Sequence, residues 1–560
     1  MKKGFIVLAI DPIGQGERLQ YFDPVEQKSL LGGSTKEHSY PSIQVFLLGQ
    51  SIARYWIRDG IRSIDYLLSR EEVDPDRIGV QGLSGGGTQT AYISAMDNRV
   101  LASAPACYIT NFRRLMESRG LQDGEQNFYH GMARGLDHAD FFVIRAPKPS
   151  LIMATTRDIF SIQGVYETYS EAKRVYGILG NPDHMQMVED EWEHGYTRKT
   201  REAMYVFFQK YLHNPGPSAE EKVEYVPEEE LQKTPTGQLS TSLGGETVFS
   251  LNLKESEKHT DRLEKSRKDM DSHLPQVILS AKKLSGYRNP PPPETPVFTG
   301  RFQKENYVIE KYFVKGEGNY VIPYLLFKPE KRNHKAVIYL HPEGKSAGAD
   351  PGGEIEWFVK HGFIVLSPDL LGTGELGNGA FKGDAYISHV SYNKWYTAMQ
   401  IGRSIVGIHA ADVITLARLL DQNESIHEVY GVARGAHAPV LLHAAAFDPV
   451  ISRIGLLSPY ISYRSVVSNR FYKPDFIFSM VPGALTGYDL PDLAATLAPN
   501  NLIMAGITDA NGDQIHGESL NREIEIIKEG YRHMNAGNQL VILPPESLTN
   551  PDILFGGWIE

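Results

Sequence analysis

The pentapeptide Gly4-Phe5-Ile6-Val7-Leu8 stands again, unchanged, at Gly362-Phe363-Ile364-Val365-Leu366. The first copy runs on as Asp11-x-x-Gly14-x-Gly16-Glu17, the second as Asp369-x-x-Gly372-x-Gly374-Glu375. Farther along, Leu151-Ile152-Met153-Ala154 returns as Leu502-Ile503-Met504-Ala505. The copies lie 358 residues apart at the first match and 351 at the second. Two matches in one order at nearly one offset read as two copies of a single α/β unit, with a period far too long for a solenoid. A chain of 560 residues has room for two cores of that size.

Composition sets outer limits. Hydrophobic content of 41% and charged content of 22% are ordinary for a globular chain. The net charge of −11, with no basic run, argues against nucleic acid or an anionic membrane as partner. No apolar run approaches the ~18 residues that span a bilayer. The single cysteine, Cys107, excludes an intrachain disulfide framework and reads as a small buried thiol.

The expected organisation has three parts: a first domain over 1–213, a polar connector over 214–300 and a second domain over 301–560. Pro215-Gly216-Pro217 closes the first. Ser218-Ala219-Glu220-Glu221 has the pattern of a capping box opening a short helix. Residues 253–273 are highly charged with a thin apolar stripe, the pattern of a solvated helix. Asn289-Pro290-Pro291-Pro292-Pro293 reads as a stiff extended linker. Copy two is preceded by apolar extended stretches over 307–314, 319–327 and 336–340, which read as early strands. Copy one has no counterpart before Gly4. The expectation is a first domain without its amino-terminal strands, as in an amino-terminal truncation of a longer chain.

Asp76-Arg77-Ile78-Gly79-Val80-Gln81-Gly82-Leu83-Ser84-Gly85-Gly86-Gly87 reads as a strand, the turn G-x-S-x-G and the start of a helix. A serine hydroxyl is a weak nucleophile and must stand clear of the sheet beside a base. A sharp strand-to-helix turn does this, with Gly82 and Gly86 expected to relieve the crowding. The base needs a carboxylate to fix its tautomer. The order serine, acid, histidine is met by Ser84, Asp158 and His194. Asp158 follows the strand pattern of 150–156, on the edge where open α/β sheets place their sites. His194 sits in Glu193-His194-Gly195 ahead of a predicted helix over 198–212, whereas His184 precedes the last predicted strand. Read only locally, Asp158 is a helix cap and His194 a loop histidine. The amide of Gly85 would supply one oxyanion donor. The second normally comes from a loop that copy two keeps as His341-Pro342-Glu343-Gly344. Gln15 is a candidate for the pocket lining.

Copy two sets Gly431-Val432-Ala433-Arg434-Gly435 against Gly82-Leu83-Ser84-Gly85-Gly86. Asp509 stands against Asp158, and Leu543-Pro544-Pro545-Glu546-Ser547, without histidine, against the stretch that holds His194. The second domain is therefore expected to keep the fold without nucleophile or base.

These motifs, with Gly135-Leu136-Asp137-His138-Ala139-Asp140 and Ala146-Pro147-Lys148-Pro149, resemble the acetyl xylan esterase-like and dienelactone hydrolase-like branch of the α/β-hydrolases. The resemblance covers 1–213 well and 301–560 as a degenerate copy. It implies two α/β-hydrolase-type domains with mostly parallel sheets. It also implies serine hydrolysis of a carboxylic ester, acetyl or similar, on plant or algal polysaccharide, without cofactor or metal. Many relatives are exported by bacteria, which suggests a secreted or periplasmic setting. The better-known acetyl xylan esterases carry glutamine after the nucleophile, where this chain has Gly85. His138, after an insert-like stretch over 111–136, and Trp192 are candidate substrate contacts. Two other functions fit: a methylesterase on uronic-acid polysaccharide, and a catalytically silent glycan-binding or scaffold protein. A serine peptidase fits less well, since no propeller-like repeat precedes the hydrolase pattern. The sequence leaves oligomeric state open.

Overall fold

A computed structural model describes residues 1–377 and 385–560. They fall into two compact units. The first gathers 1–42, 51–248 and 385–401; the second gathers 43–50, 249–377 and 402–560. This departs from the expected boundaries, because each unit recruits a segment from the other half of the chain. Within the first unit, Tyr396 Oη lies 2.8 Å from Ser42 Oγ, and Gln400 Oε1 accepts from the Met132 amide at 3.1 Å. Within the second, Gln44 Nε2 donates to the carbonyls of Val466 and Asn469 at 2.9 and 2.8 Å.

The first unit is built on four parallel strands in sequential order: β1 (Ile78–Leu83), β2 (Val100–Ala106), β3 (Ser150–Thr155) and β4 (Met185–Asp190). All six residues of β3 are buried, as a parallel strand covered on both faces requires. On one face α2 (Ala53–Leu68), which follows α1 (Ser34–Leu47), buries Tyr55, Trp56, Gly60 and Ile64 at helical spacing. It crosses α3 (Gly85–Met96) so closely that a Cβ on Gly60 would stand 2.2 Å from Ile93 Cγ1. On the other face Phe207 and Phe208 of α5 (Arg198–Tyr211), with Leu212, pack on Ala102, Ala104, Ala106, Leu151 and Met153. Between them in sequence, α4 (Ile162–Ile178) follows β3.

The second unit holds a nine-stranded sheet. Its strands are β5 (Val297–Gln303), β6 (Tyr307–Lys315), β7 (Val321–Pro329), β8 (Lys335–Leu340), β9 (Ile364–Pro368), β10 (Glu428–Arg434), β11 (Ile451–Leu457), β12 (Asn501–Ala505) and β13 (Leu540–Leu543). They run in the order β13-β12-β11-β10-β8-β9-β7-β6-β5. The sheet is parallel from β13 to β9, and the three early strands join it antiparallel.

The repeated pentapeptide has two fates. In the second unit it leads into β9, wholly buried between β8 and β7. In the first unit Gly4–Leu8 belongs to no strand, and Ile6 and Val7 are each 56% exposed. Its local propensity is the same in both places; what differs is a ladder partner for its backbone. The motif that follows behaves alike in both copies. Asp11 Oδ2 accepts from the Glu17 amide and Asp369 Oδ2 from the Glu375 amide, each at 2.9 Å. Gly16 and Gly374, at φ +50° and +48°, pass so near these carboxylates that a Cβ would lie 2.3 and 2.1 Å from them.

The connector is not a separate solvated body. No helix forms at 218–221, because Glu220 is drawn to Arg201 of α5, whose Nε and Nη2 donate to it at 2.5 and 2.9 Å. The charged stretch breaks near residue 268. Arg267 and His273 then reach the wholly buried carboxylate of Asp492 at 2.7 and 2.9 Å. The proline run is tied down too, since Arg418 donates to Pro290 O at 2.9 Å.

The tight turn after β1 needs glycine at Gly82, as expected, and at Gly87 in place of Gly86. A Cβ on Gly82 would stand 2.4 Å from the Gly86 carbonyl, and one on Gly87 2.5 Å from Ala106 O, whereas one on Gly86 would enter open space. Gly82→Ala is therefore expected to cost about 1–3 kcal/mol, read as a lower Tm, and Gly86→Ala to leave Tm unchanged or slightly raised. Equal losses for both would overturn this account of the turn.

Candidate active site

Ser84 leaves β1 with φ 56° and ψ −117°. A non-glycine residue in that region costs about 1–3 kcal/mol and persists only where its surroundings over-determine it. They do so here. The Ser84 amide donates to Ala106 O on β2 at 2.9 Å, and the Ser84 carbonyl accepts from Thr88 of α3 at 2.9 Å. The side chain is half-buried, and its Oγ makes no hydrogen bond among the described residues. Gly85 opens the twelve-residue α3, so its amide belongs to the first turn, which the helix leaves without intrahelical acceptors.

Asp158 and His194 meet through the backbone. The Thr156 amide donates to Asp190 O at 3.0 Å and the Arg157 amide to Trp192 O at 2.9 Å. These bonds clamp the end of β3 to the loop leaving β4, and that loop carries the histidine. His194 Nδ1 lies 2.7 Å from Asp158 Oδ1. A carboxylate accepts, so Nδ1 carries the hydrogen and Nε2 keeps its lone pair. Phe160 N donates to Oδ1 at 3.1 Å and Thr155 Oγ1 to Oδ2 at 3.2 Å. The Asp158 side chain is 3% exposed and that of His194 28%, the pattern of an orienting acid behind a base open to solvent. Burial raises the Asp158 pKa, but the bonds from His194 and Phe160 outweigh it and hold the carboxyl below the usual aspartate value.

Cys107 sits within 4.8 Å of this pair, and its Sγ donates to Gly195 O at 3.5 Å. Burial, then the Asp158 charge, push its pKa up to about 12. It stays a thiol, a wall of the site rather than a rival nucleophile.

His138 is 1% exposed, stacked on Tyr108 at 4.9 Å, with Nδ1 accepting from the Thr110 amide at 3.2 Å. Burial drops its pKa to about 3, so it is a neutral core histidine and is not offered to a ligand. Trp192 is 55% exposed and therefore not core. Gln15 is half-buried in a turn where its amide donates to Pro12 O at 3.1 Å. His184 lies at the opposite end of β4, with Nδ1 2.7 Å from Pro147 O.

The second unit corrects the alignment of the turn. Positive φ recurs 351 residues on: Ser84 at 56° matches Gly435 at 53°, and Cys107 at 49° matches Ser458 at 50°. The residue at the serine's position is thus Gly435, not Ala433, which lies inside β10. Asp509, 351 residues after Asp158, accepts from the amides of Asn511 and Asp513 at 2.8 and 3.1 Å and caps its own turn. Leu151 faces Gln186 and Leu502 faces Leu540, so the offset has grown to 354 at the last strand and Leu548 falls against His194.

Residues 34–134, which include Ser84, match the acetyl xylan esterase (AXE1) family. A Bacillus subtilis (strain 168) protein named "Putative hydrolase YtaP" is 27% identical over 213 residues. That match takes in 37% of this chain and 66% of the relative, so the chain spans just under two thirds of it. Among solved structures, the methylesterase BT1017 aligns with a TM-score of 0.38 at 16% identity, covering 55% of this chain and 68% of its own. An acetyl xylan esterase from Paenibacillus sp. R4 gives 0.34 at 15% identity, covering 48% and 85%.

The Asp158 carboxylate has a pH signature. Its folded pKa lies below the ordinary 3.8, so its pairing stabilises the fold above that value. The contribution is lost as pH falls through the folded value. Asp158→Asn is expected to lower Tm at neutral pH, with the deficit persisting to about pH 4 and closing in stronger acid. A deficit that grows below that pH in thermal melts would contradict the assignment.

Proposed function

We propose that the first unit is a serine carboxylesterase of the acetyl xylan esterase type, acting on ester groups carried by polysaccharide. One observation carries the reading: a strained, half-buried serine at the end of β1, on the same carboxyl edge of the sheet as a buried aspartate bonded to a histidine at 2.7 Å. The family match over residues 34–134 supports the substrate class.

In this mechanism Ser84 Oγ attacks the ester carbonyl while His194 Nε2 takes its proton. Asp158 holds Nδ1–H and stabilises the imidazolium. The carbonyl oxygen becomes an oxyanion, and the Gly85 amide at the start of α3 donates to it. Collapse expels the sugar alkoxide, which takes the proton from His194. Water then attacks the acyl-enzyme, giving a proton to the same nitrogen, which passes it to the departing Ser84 Oγ, so that the acid leaves and the free hydroxyl is restored. The second unit carries glycine at the serine's position and a self-capped aspartate 351 residues after Asp158, and the stretch 543–547 set against the one that holds His194 contains no histidine. It is a silent copy in this reading, without hydroxyl or base.

Turnover of acetyl, feruloyl and methyl esters on oligosaccharides by wild type and Ser84→Ala tests the proposal. The variant is expected to lose at least ~10³-fold in kcat. A fluorophosphonate should label wild type at Ser84 alone. Equal rates for the two proteins, or no labelling of folded wild type, would reject the enzyme in favour of a binding module.

A further inference from the structure

His38, Asp123 and Glu125 form a closed cluster within the first unit. Their side chains are 3%, 8% and 2% exposed. His38 Nδ1 lies 2.8 Å from Asp123 Oδ2 and 3.1 Å from Glu125 Oε2. Glu125 Oε2 is fully buried and faces that nitrogen, its ion-pair partner, with no further hydrogen-bond donor among the described residues. The other ring nitrogen is already committed. His38 Nε2 stands 2.9 Å from Ile13 O, an atom that can only accept, so Nε2 bears hydrogen. The neutral tautomer then points the Nδ1 lone pair at two carboxylates.

From these contacts we infer that His38 Nδ1, Asp123 Oδ2 and Glu125 Oε2 are the ligands of a divalent first-row metal cation. Four observations bear on this. The charges match: two carboxylates closed off from solvent are neutralised by one dication held beside a neutral imidazole. The spacing fits, since ligand atoms about 2.0–2.2 Å from one metal sit about 2.8–3.4 Å from each other. The supporting contacts fit as well. A metal-bound histidine typically donates its second N–H to a carbonyl, as His38 does to Ile13, and ligating carboxylates are themselves hydrogen-bonded. Asp123 Oδ1 accepts from Gln126 Nε2 at 2.9 Å. Finally, the ligands are held at fixed height. A Cβ on Gly124 would stand 2.6 Å from His38 O and 2.5 Å from Ser42 Cβ, so the loop bearing both carboxylates lies directly on the helix bearing the imidazole. Trp56 closes the site edge-on to His38 at 5.1 Å. One imidazole and two carboxylates suit zinc or manganese better than copper(I) or an iron–sulfur cluster.

The proposal does not depend on the esterase reading, and neither does its test. The whole protein is stripped with EDTA, exposed separately to Zn²⁺ and Mn²⁺, and desalted. Retained metal is counted by mass spectrometry, and Tm is measured with and without each cation. Wild type is expected to keep one cation per chain and to gain about 3 °C or more in Tm. Glu125→Gln is expected to keep none and to gain nothing. His194→Ala, which alters the other group of Cys107, Asp158 and His194, should bind like wild type. Wild type that retains neither cation and shows no shift would overturn the proposal, as would retention abolished by His194→Ala. Should Glu125→Gln fail to fold, the wild-type and His194→Ala arms still decide.

Discussion

The backbone collision at the end of β1 is the constraint on which the site depends. Gly82 passes so close to Gly86, and Gly87 so close to Ala106 O, that the chain can turn from strand into helix only along one path. That path fixes Ser84 at φ 56°. Once it is fixed, the first amide of α3 and the hydroxyl point from the same short turn, and the carboxyl ends of β2 and β3 become its neighbours. The strain at Ser84 is offset by contacts none of which involve its side chain, so the hydroxyl remains unengaged. Asp158 and His194 are positioned differently, through two amide-to-carbonyl bonds that clamp β3 to the loop after β4. The site is thus assembled by main chain, and its side chains are carried into place.

That division explains what could be read in the sequence. Ser84, Asp158 and His194 could be singled out as candidates from glycine spacing, strand ends and chain order, and of these the structure pairs Asp158 with His194. The turn's exact glycine requirement was not legible. Whether a missing Cβ matters depends on what faces it, and for Gly87 that is Ala106, far along the chain. The same blindness displaced the alignment of copy two by two residues. Sequence favours matching glycine to glycine, but the backbone places Gly435 where Ser84 stands, because φ near +50° is the conserved quantity. Once the serine is gone, glycine is the residue that holds that conformation without strain.

Gly4–Leu8 and Gly362–Leu366 show how far local sequence reaches. Five identical residues form no strand in one unit, where all but Phe5 are exposed, and lead into a buried central strand in the other. A strand is a shared property of neighbours, and β8 and β7 supply the ladder that the pentapeptide lacks in the first unit. Asp11 and Asp369 make the complementary case. Each carboxylate caps an amide six residues on, a partner carried within the same short motif, so both copies close the same turn. Contacts made within a few residues survive duplication unchanged. Contacts made across the sheet do not.

His38, Asp123 and Glu125 lie at the far end of that scale. Eighty-five residues separate the imidazole from the first carboxylate, and no spacing rule joins them. Only the fold brings them together, through a glycine that lets a loop settle on a helix. The physical case for a cation is one of charge rather than motif. A protein can bury two carboxylates beside one imidazole as a charged triad, at a desolvation cost of several kcal/mol per ion. It can also neutralise them with a dication, in which case the same three groups stabilise the fold instead of straining it. The Oε2 atom of Glu125 separates these cases. In a proton-bridged triad it shares the single Nδ1–H of His38 with Asp123, and in a metal site it is the third ligand.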